Sequence, residues 1–278
     1  MPSSESVIGD DLAARVARVY LAQRSLGCDV TNGDGLALAR NTETPLIYDS
    51  NFAFDVAPGL AADRSAFADV LAAGFDGVGH QKVVCDAGTA PIVEARLAAL
   101  GFEVEQILQM VLEGPLPAAP APRGDVAIHA AETEADWAAL VRLQHANFAE
   151  KAASGGRAPL EIAVAEQMVH SWRMKAGMRF WLASSEGEPC AYLGSWTGCE
   201  GLGMVEYLFT DPTRRHRGIA TALISQGVGA VREAGAEAVL IGADVEDTPK
   251  QMYLDLGFRP VCIVREWLRP LPPDVAEG

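Results

Sequence analysis

Three apolar segments of strand length follow one another along the chain: Met178–Ser184, Cys190–Trp196 and Val205–Thr210. Their β-branched and aromatic residues suit buried strands, and the turn residues Glu186–Pro189 separate the first two. Asp211-Pro212 stops the third by removing a ladder donor. After it, Leu223, Ile224, Val228 and Val231 recur at helical spacing. They predict an amphipathic helix that opens at Ile219-Ala220 and ends with Gly235 at the C′ position. Upstream, the pattern predicts a strand at Val126–Ala131, helices over Glu134–Ala149 and Glu161–Lys175, and a flexible loop at Ser154–Pro159. Downstream it predicts a strand at Ala238–Ala243 and a short helix with Thr248 as N-cap and Pro249 in its first turn. That helix stops at Gly257, and Phe258–Leu268 is extended. The order βαα-ββ-βα-βα-β describes a mixed sheet flanked by helices.

The end of this pattern occurs twice. Cys85-Asp86 followed by AGTAPIVEARLAALGFEVEQILQMVLEG matches Ala243-Asp244 followed by VEDTPKQMYLDLGFRPVCIVREWL. Each copy has a strand ending in Asp, a helix with an early proline, Leu-Gly-Phe and a closing strand, which predicts two copies of one architecture in tandem. The copies differ in chemistry: Tyr253 stands where the first copy has Leu97, and the first copy's helix at Ala61–Phe75 has no arginine-glycine loop before it. Between the copies, GPLPAAPAPRG at Gly114–Gly124 reads as an extended linker. The expected organisation is therefore a first domain at 1–113, a linker at 114–124 and a second domain at 125–278.

The composition is that of an ordinary globular protein, but the net charge is −15 over 278 residues, and both halves share the negative balance. An acidic surface excludes a nucleic-acid backbone as partner and favours a cationic or neutral substrate. Against that background Arg214, Arg215 and Arg217 form a positive island at the strand-to-helix turn. A helix start with a glycine and neighbouring arginines suits a phosphorylated ligand: free N–H groups point outward, the dipole favours an anion, and Gly218 lets the backbone approach closely. The five cysteines are scattered without a CxxC pair, which points to a reducing compartment, hence a cytoplasmic location, and to no zinc site. No histidine pair stands at ligand spacing, so no metal is expected. MPSSESVIGDD lacks the build of a signal peptide, and no apolar run is long enough to span a bilayer. Gly201-Leu202-Gly203 precedes a strand instead of following one and is not a dinucleotide fingerprint. Trp172, Trp181, Trp196 and Trp267 read as core or domain-interface aromatics.

Arg215-x-x-Gly218-x-Ala220 after a strand, then Tyr253-x-x-Leu256-Gly257-Phe258 after the next strand and helix, resembles the GNAT superfamily of acyl-CoA-dependent N-acetyltransferases. The resemblance covers roughly Asp125–Leu268, with a degenerate second match over the first half. It implies an α/β (α+β) fold of two tandem GNAT-like domains, each a mixed, mostly antiparallel sheet flanked by helices. The implied activity is transfer of an acetyl group from acetyl-CoA to a primary amine by direct attack, without a metal; a homodimer is compatible with it. The alternative is a non-catalytic CoA-binding sensor or scaffold.

By the same resemblance, backbone N–H groups of Arg215, His216, Arg217, Gly218, Ile219, Ala220 and Thr221 would hold the pyrophosphate. Leu208, Phe209 and Thr210 would pair with the pantetheine arm like an added strand. The N–H of Leu208 would hold the developing oxyanion, Glu206 would take the proton from the ammonium, and Tyr253 would donate to the departing thiolate. Many family members have an asparagine where this chain has Glu246 and Asp247. An acid there is a poor neighbour for an anionic cofactor, which points Asp247 toward helix capping or the substrate.

Overall fold

A computed structural model describes residues 4–118, 121–245 and 249–271. The contacts divide the chain into two compact units. One comprises Met1–Gln109, Ala243–Asp247 and Val261–Gly278; the other comprises Met110–Gly242 and Thr248–Pro260.

The first unit contains helix α1 (Ser4–Arg24), strands β1 (Asp29–Gly33), β2 (Leu36–Arg40) and β3 (Phe52–Phe54), helices α2 (Pro58–Ala62) and α3 (Arg64–Gly74), strand β4 (His80–Cys85), helix α4 (Pro91–Ala99) and most of strand β5 (Glu103–Leu112). The single helix expected over Ala61–Phe75 is two helices. Asp63 breaks it by capping α3, its carboxylate accepting from the N–H groups of Ser65 and Ala66. β1 and β2 form a hairpin whose two turn residues, Asp34 and Gly35, are both left-handed. β2 pairs with β3 antiparallel, β3 with β4 parallel, and β4 with the end of the last strand, β11 (Arg259–Pro270), antiparallel over Arg265–Pro270. The second domain expected at 125–278 includes the whole of β11. By hydrogen bonding, residues 265–270 lie beside β4, a long-range pairing that no local pattern encodes.

The apolar core of this unit holds Phe67, Leu71, Phe75, Val83, Leu97 and Trp267. It also encloses charge. Lys82 and Glu266 are 4% and 5% exposed, and the Lys82 ammonium lies 2.8 Å from Glu266 and 2.5 Å from Asp49. Arg24 meets Asp49 at 3.3 Å, and the Tyr20 hydroxyl donates to Glu266 at 2.5 Å. Burial alone would lower the Lys82 pKa; Asp49 and Glu266 reverse this and hold it above its usual value.

The second unit holds strand β6 (Val126–Ala130), helices α5 (Glu134–Ser154) and α6 (Ile162–Met174), strands β7 (Met178–Ser185), β8 (Glu188–Cys199) and β9 (Leu202–Thr210), helix α7 (Ile219–Glu233), most of strand β10 (Ala238–Asp244) and helix α8 (Pro249–Asp255). The order matches the predicted one. α5 runs on to Ser154, past the expected end at Ala149, and starts in a capping box between Thr133 and Asp136. β6, β7, β8 and β9 pair antiparallel in sequence, and β10 joins β9 in parallel. α5 and α6 cover one face of this sheet, with Trp172, Phe180, Tyr192 and Phe209 in the core between. Trp172, Trp181 and Trp196 are all under 9% exposed, as core aromatics should be. α7 packs on the other face so closely that a Cβ at Gly227 would lie 2.7 Å from Leu193 Cδ2.

The two Leu-Gly-Phe segments share one backbone motif. The Phe102 N–H bonds to the Leu97 carbonyl at 3.2 Å, and the Phe258 N–H to the Tyr253 carbonyl at 3.0 Å. Gly101 and Gly257 are both left-handed, with φ of 81° and 89°. Each copy therefore closes its short helix with the same motif, because only glycine takes that conformation at little cost. Glu246, Asp247 and Thr248, including the expected N-cap, lie outside the described residues.

Candidate active site

The site is built on the end of β9. Parallel pairing with β10 runs from Leu202 to Val205. On the other edge the register with β8 slips: Gly194 pairs with Glu206 and Tyr192 with Phe209, so β9 carries one extra residue. That residue is a bulge, and Tyr207 sits in it with φ of 59°, a conformation an aromatic residue adopts only under constraint. The constraint is packing. The Tyr207 ring lies 5.1 Å from Trp172 and 5.9 Å from Phe180, centroid to centroid. Gly194 makes room for it, since a Cβ there would lie 3.1 Å from the Tyr207 ring.

The bulge also assigns a face to Glu206. Val205 faces α7, because a Cβ at Gly227 would meet its Cγ1 at 3.0 Å. Glu206 pairs with Gly194, whose face is lined by Met178, Phe180 and Tyr207, so its half-buried side chain lies on the α5/α6 side of the sheet. The following residues, Leu208, Phe209 and Thr210, lead straight into the arginine loop.

That loop begins with a short 3-10 turn at Pro212–Arg214, capped by the Asp211 carboxylate, which accepts from the Thr213 N–H at 2.8 Å. The contact with Thr213 also holds the Asp211 pKa below its usual value. His216 and Gly218 follow with φ of 61° and 81°. Gly218 is the N-cap of α7 and offers no side-chain cap, which leaves the first N–H groups of the helix without one. The head of α7 thus presents backbone donors with the positive end of the helix dipole behind them. This chemistry fits a diphosphate. The linker reaches the same place: the Arg123 N–H donates to the Arg217 carbonyl at 2.8 Å, and a Cβ on Gly218 would meet Pro122 Cα at 3.3 Å.

The arginines of the loop have acidic partners. Arg215 has two partners: its Nε donates to the Thr210 carbonyl at 3.0 Å, and its two terminal nitrogens meet the Glu150 carboxylate at 2.7 and 2.5 Å. Arg214 donates to Glu186 at 2.8 Å, and Arg217 lies 4.0 Å from the same carboxylate. The sequence marked the positive island; it did not mark Glu150 and Glu186, which are distant in the chain and have no motif of their own.

α8 brings Tyr253 into the same unit. Its side chain is 5% exposed, with its ring 6.2 Å from Phe258. The neighbouring Met252 Sδ lies 4.0 Å from the Thr221 hydroxyl, which sets α8 against the first turn of α7. A cavity of about 230 Å³ opens elsewhere, between α5 and α6 beside Trp137, His170 and Arg173, and none of the site residues named above lines it. Among the described residues, no group of three or more His, Cys, Asp or Glu could hold a metal ion, and no helix is long and apolar enough to cross a membrane.

Residues 138–258 match the sequence profile of the acetyltransferase (GNAT) family. This part of the chain is similar in sequence to the GNAT family. A mycothiol acetyltransferase of Nocardia farcinica is 30% identical over 187 residues, a match that spans 63% of this chain and 60% of that protein. Two solved structures share the fold. A GCN5-related N-acetyltransferase from Kribbella flavida aligns over 94% of this chain and 96% of its own, with a TM-score of 0.66 and 16% identity. A tandem GNAT protein from the clavulanic acid biosynthesis pathway aligns over 86% of this chain and 79% of its own, with a TM-score of 0.53 and 18% identity. The GNAT profile runs from within α5 to just past α8, so the bulged strand, the arginine loop and Tyr253 all fall inside it.

Proposed function

We propose that the second half of the chain moves an acetyl group from acetyl-CoA to a primary amine by direct attack. The observation that carries this reading is the head of α7, where left-handed His216 and Gly218 and an uncapped helix start follow a bulged strand. Backbone donors from Arg215 to Thr221 would hold the diphosphate, and Leu208–Thr210 would receive the pantetheine arm as an added strand. Bound there, acetyl-CoA supplies the thioester. Glu206 takes a proton from the incoming ammonium, directly or through water, on the face it shares with Tyr207. The Leu208 N–H, next to the bulge, stabilises negative charge as it develops on the carbonyl oxygen. Tyr253 donates its hydroxyl proton to the leaving sulfur, an uphill transfer of roughly 2 kcal/mol from the ordinary values of a phenol and a thiol.

The first half would be a copy that kept the shape and lost the chemistry. Parallel pairing of β3 with β4 parallels that of β9 with β10, and Leu97 occupies the position of Tyr253 in the shared helix-end motif. The excess of acidic side chains suits a cationic acceptor.

The test is thiol release from acetyl-CoA across a panel of primary amines. Expected is turnover with at least one amine, and a fall in kcat of about 10²-fold or more in Tyr253→Phe with acetyl-CoA affinity retained. Binding without thiol release from any amine would favour a sensor or scaffold instead.

A further inference from the structure

Two carboxylates neutralise the arginine loop, and their geometry gives them different duties. Glu150 grips Arg215 with both oxygens, while the third donor of that guanidinium holds the Thr210 carbonyl. The arrangement ties α5 to the end of β9 and commits three of the five guanidinium N–H groups to fixed partners. Glu186 is different. It stands in the two-residue turn between β7 and β8, its side chain is 66% exposed, and it makes one close contact, to Arg214, with Arg217 at 4.0 Å. Arg214 keeps its carboxyl ionised, holding the pKa below the usual glutamate value.

Resting on the cofactor reading above, we propose that Glu186 is an exchangeable counter-anion for the loop: its carboxylate pairs Arg214 and Arg217 until the diphosphate of the cofactor displaces it. Glu150, in contrast, is a positioning residue whose pair with Arg215 persists in the complex. Arg214 and Arg217 stand in the loop that leads into α7, so an anion held at the head of that helix would draw on the same two guanidinium groups that Glu186 engages. The exposed, single-contact pair is the cheaper to break, because water replaces what the carboxylate loses. Glu186 would therefore weaken cofactor affinity slightly and guard the loop against other anions.

The backbone provides a clean variant. Glu186 and Gly187 have φ of 57° and 82°, the two left-handed positions of a type I′ turn, which asparagine fits better than glutamate. Glu186→Asn removes the carboxylate without harming the turn. Glu150→Gln removes the other carboxylate with the same change in net charge. Calorimetric titration of acetyl-CoA into each protein, with a thermal melt alongside, reads the difference. Expected for Glu186→Asn is an affinity about two- to fivefold tighter with no loss of melting temperature. Expected for Glu150→Gln is an affinity equal to or weaker than that of the unaltered protein. An unchanged or weaker affinity in Glu186→Asn would overturn the proposal, and so would equal tightening by both variants, which is the mark of a long-range field. If the unaltered protein binds no acetyl-CoA, the cofactor reading itself falls first and this inference with it.

Discussion

Gly218→Ala probes the loop at the point where conformation and chemistry meet. Gly218 has φ of 81° and ψ of 5°, and an L-residue there costs about 1–2 kcal/mol. The new methyl would lie 3.3 Å from Pro122 Cα, closer than the usual carbon–carbon separation of about 3.5–4.0 Å, and a backbone atom cannot swing away. The loop must therefore carry both the strain and a small displacement. For a chain of this size, that loss lowers the melting temperature by roughly 2–8 °C. The displacement also re-aims the first N–H groups of α7, and losing one charge-assisted hydrogen bond weakens acetyl-CoA binding by about 10- to 100-fold. Gly229→Ala is the control on the same helix. Nothing lies within 4 Å of a Cβ there, its φ is not positive, and alanine should raise stability by about 0.5–1 kcal/mol. The assays are a thermal melt and a calorimetric titration for both variants. If Gly218→Ala melts with the unaltered protein and binds acetyl-CoA equally well, the reasoning about this loop is refuted.

Gly227→Ala should destabilise the protein by about 1–3 kcal/mol in denaturant titration, since its Cβ would sit 2.7 Å from Leu193 and 3.0 Å from Val205 across a packed interface. Glu266→Ala should cost about 3–5 kcal/mol by the same assay, because it strands the buried Lys82 ammonium beside Asp49 alone. His80 gives a pH signature. Burial is the main reason its pKa falls from 6.5 to about 4, so the unfolded chain binds more protons between those values. Stability is then complete above pH 6.5 and declines as the pH falls toward 4, by up to about 3 kcal/mol. His80→Gln should flatten that part of a chemical-denaturation profile, and an unchanged profile would rule His80 out as its source.

The second half was legible because its signals are local. Apolar alternation, the proline after Asp211 and the spacing of Leu223, Ile224, Val228 and Val231 each fix an element within a few residues. The arginine-glycine loop and Leu-Gly-Phe were visible for the same reason, since a left-handed backbone demands glycine at Gly218 and Gly257. Asp63 as a helix N-cap and Asp34-Gly35 as a hairpin turn are local signals of the same kind in the first half. The bulge was not legible. Nothing about a tyrosine announces φ of 59°, and Tyr207 adopts it because Trp172, Phe180 and the space at Gly194 reward it from three other elements. The partners Glu150 and Glu186 and the pairing of β11 with β4 depend on tertiary contacts of the same kind.

The most direct trial of the cofactor cradle is a crystal structure of the full chain with coenzyme A. Expected is the diphosphate within hydrogen-bond distance of backbone N–H groups between Arg215 and Thr221, with the pantetheine arm running beside Leu208–Thr210. A nucleotide bound elsewhere, or a loop closed by its own side chains with the ligand excluded, would contradict it.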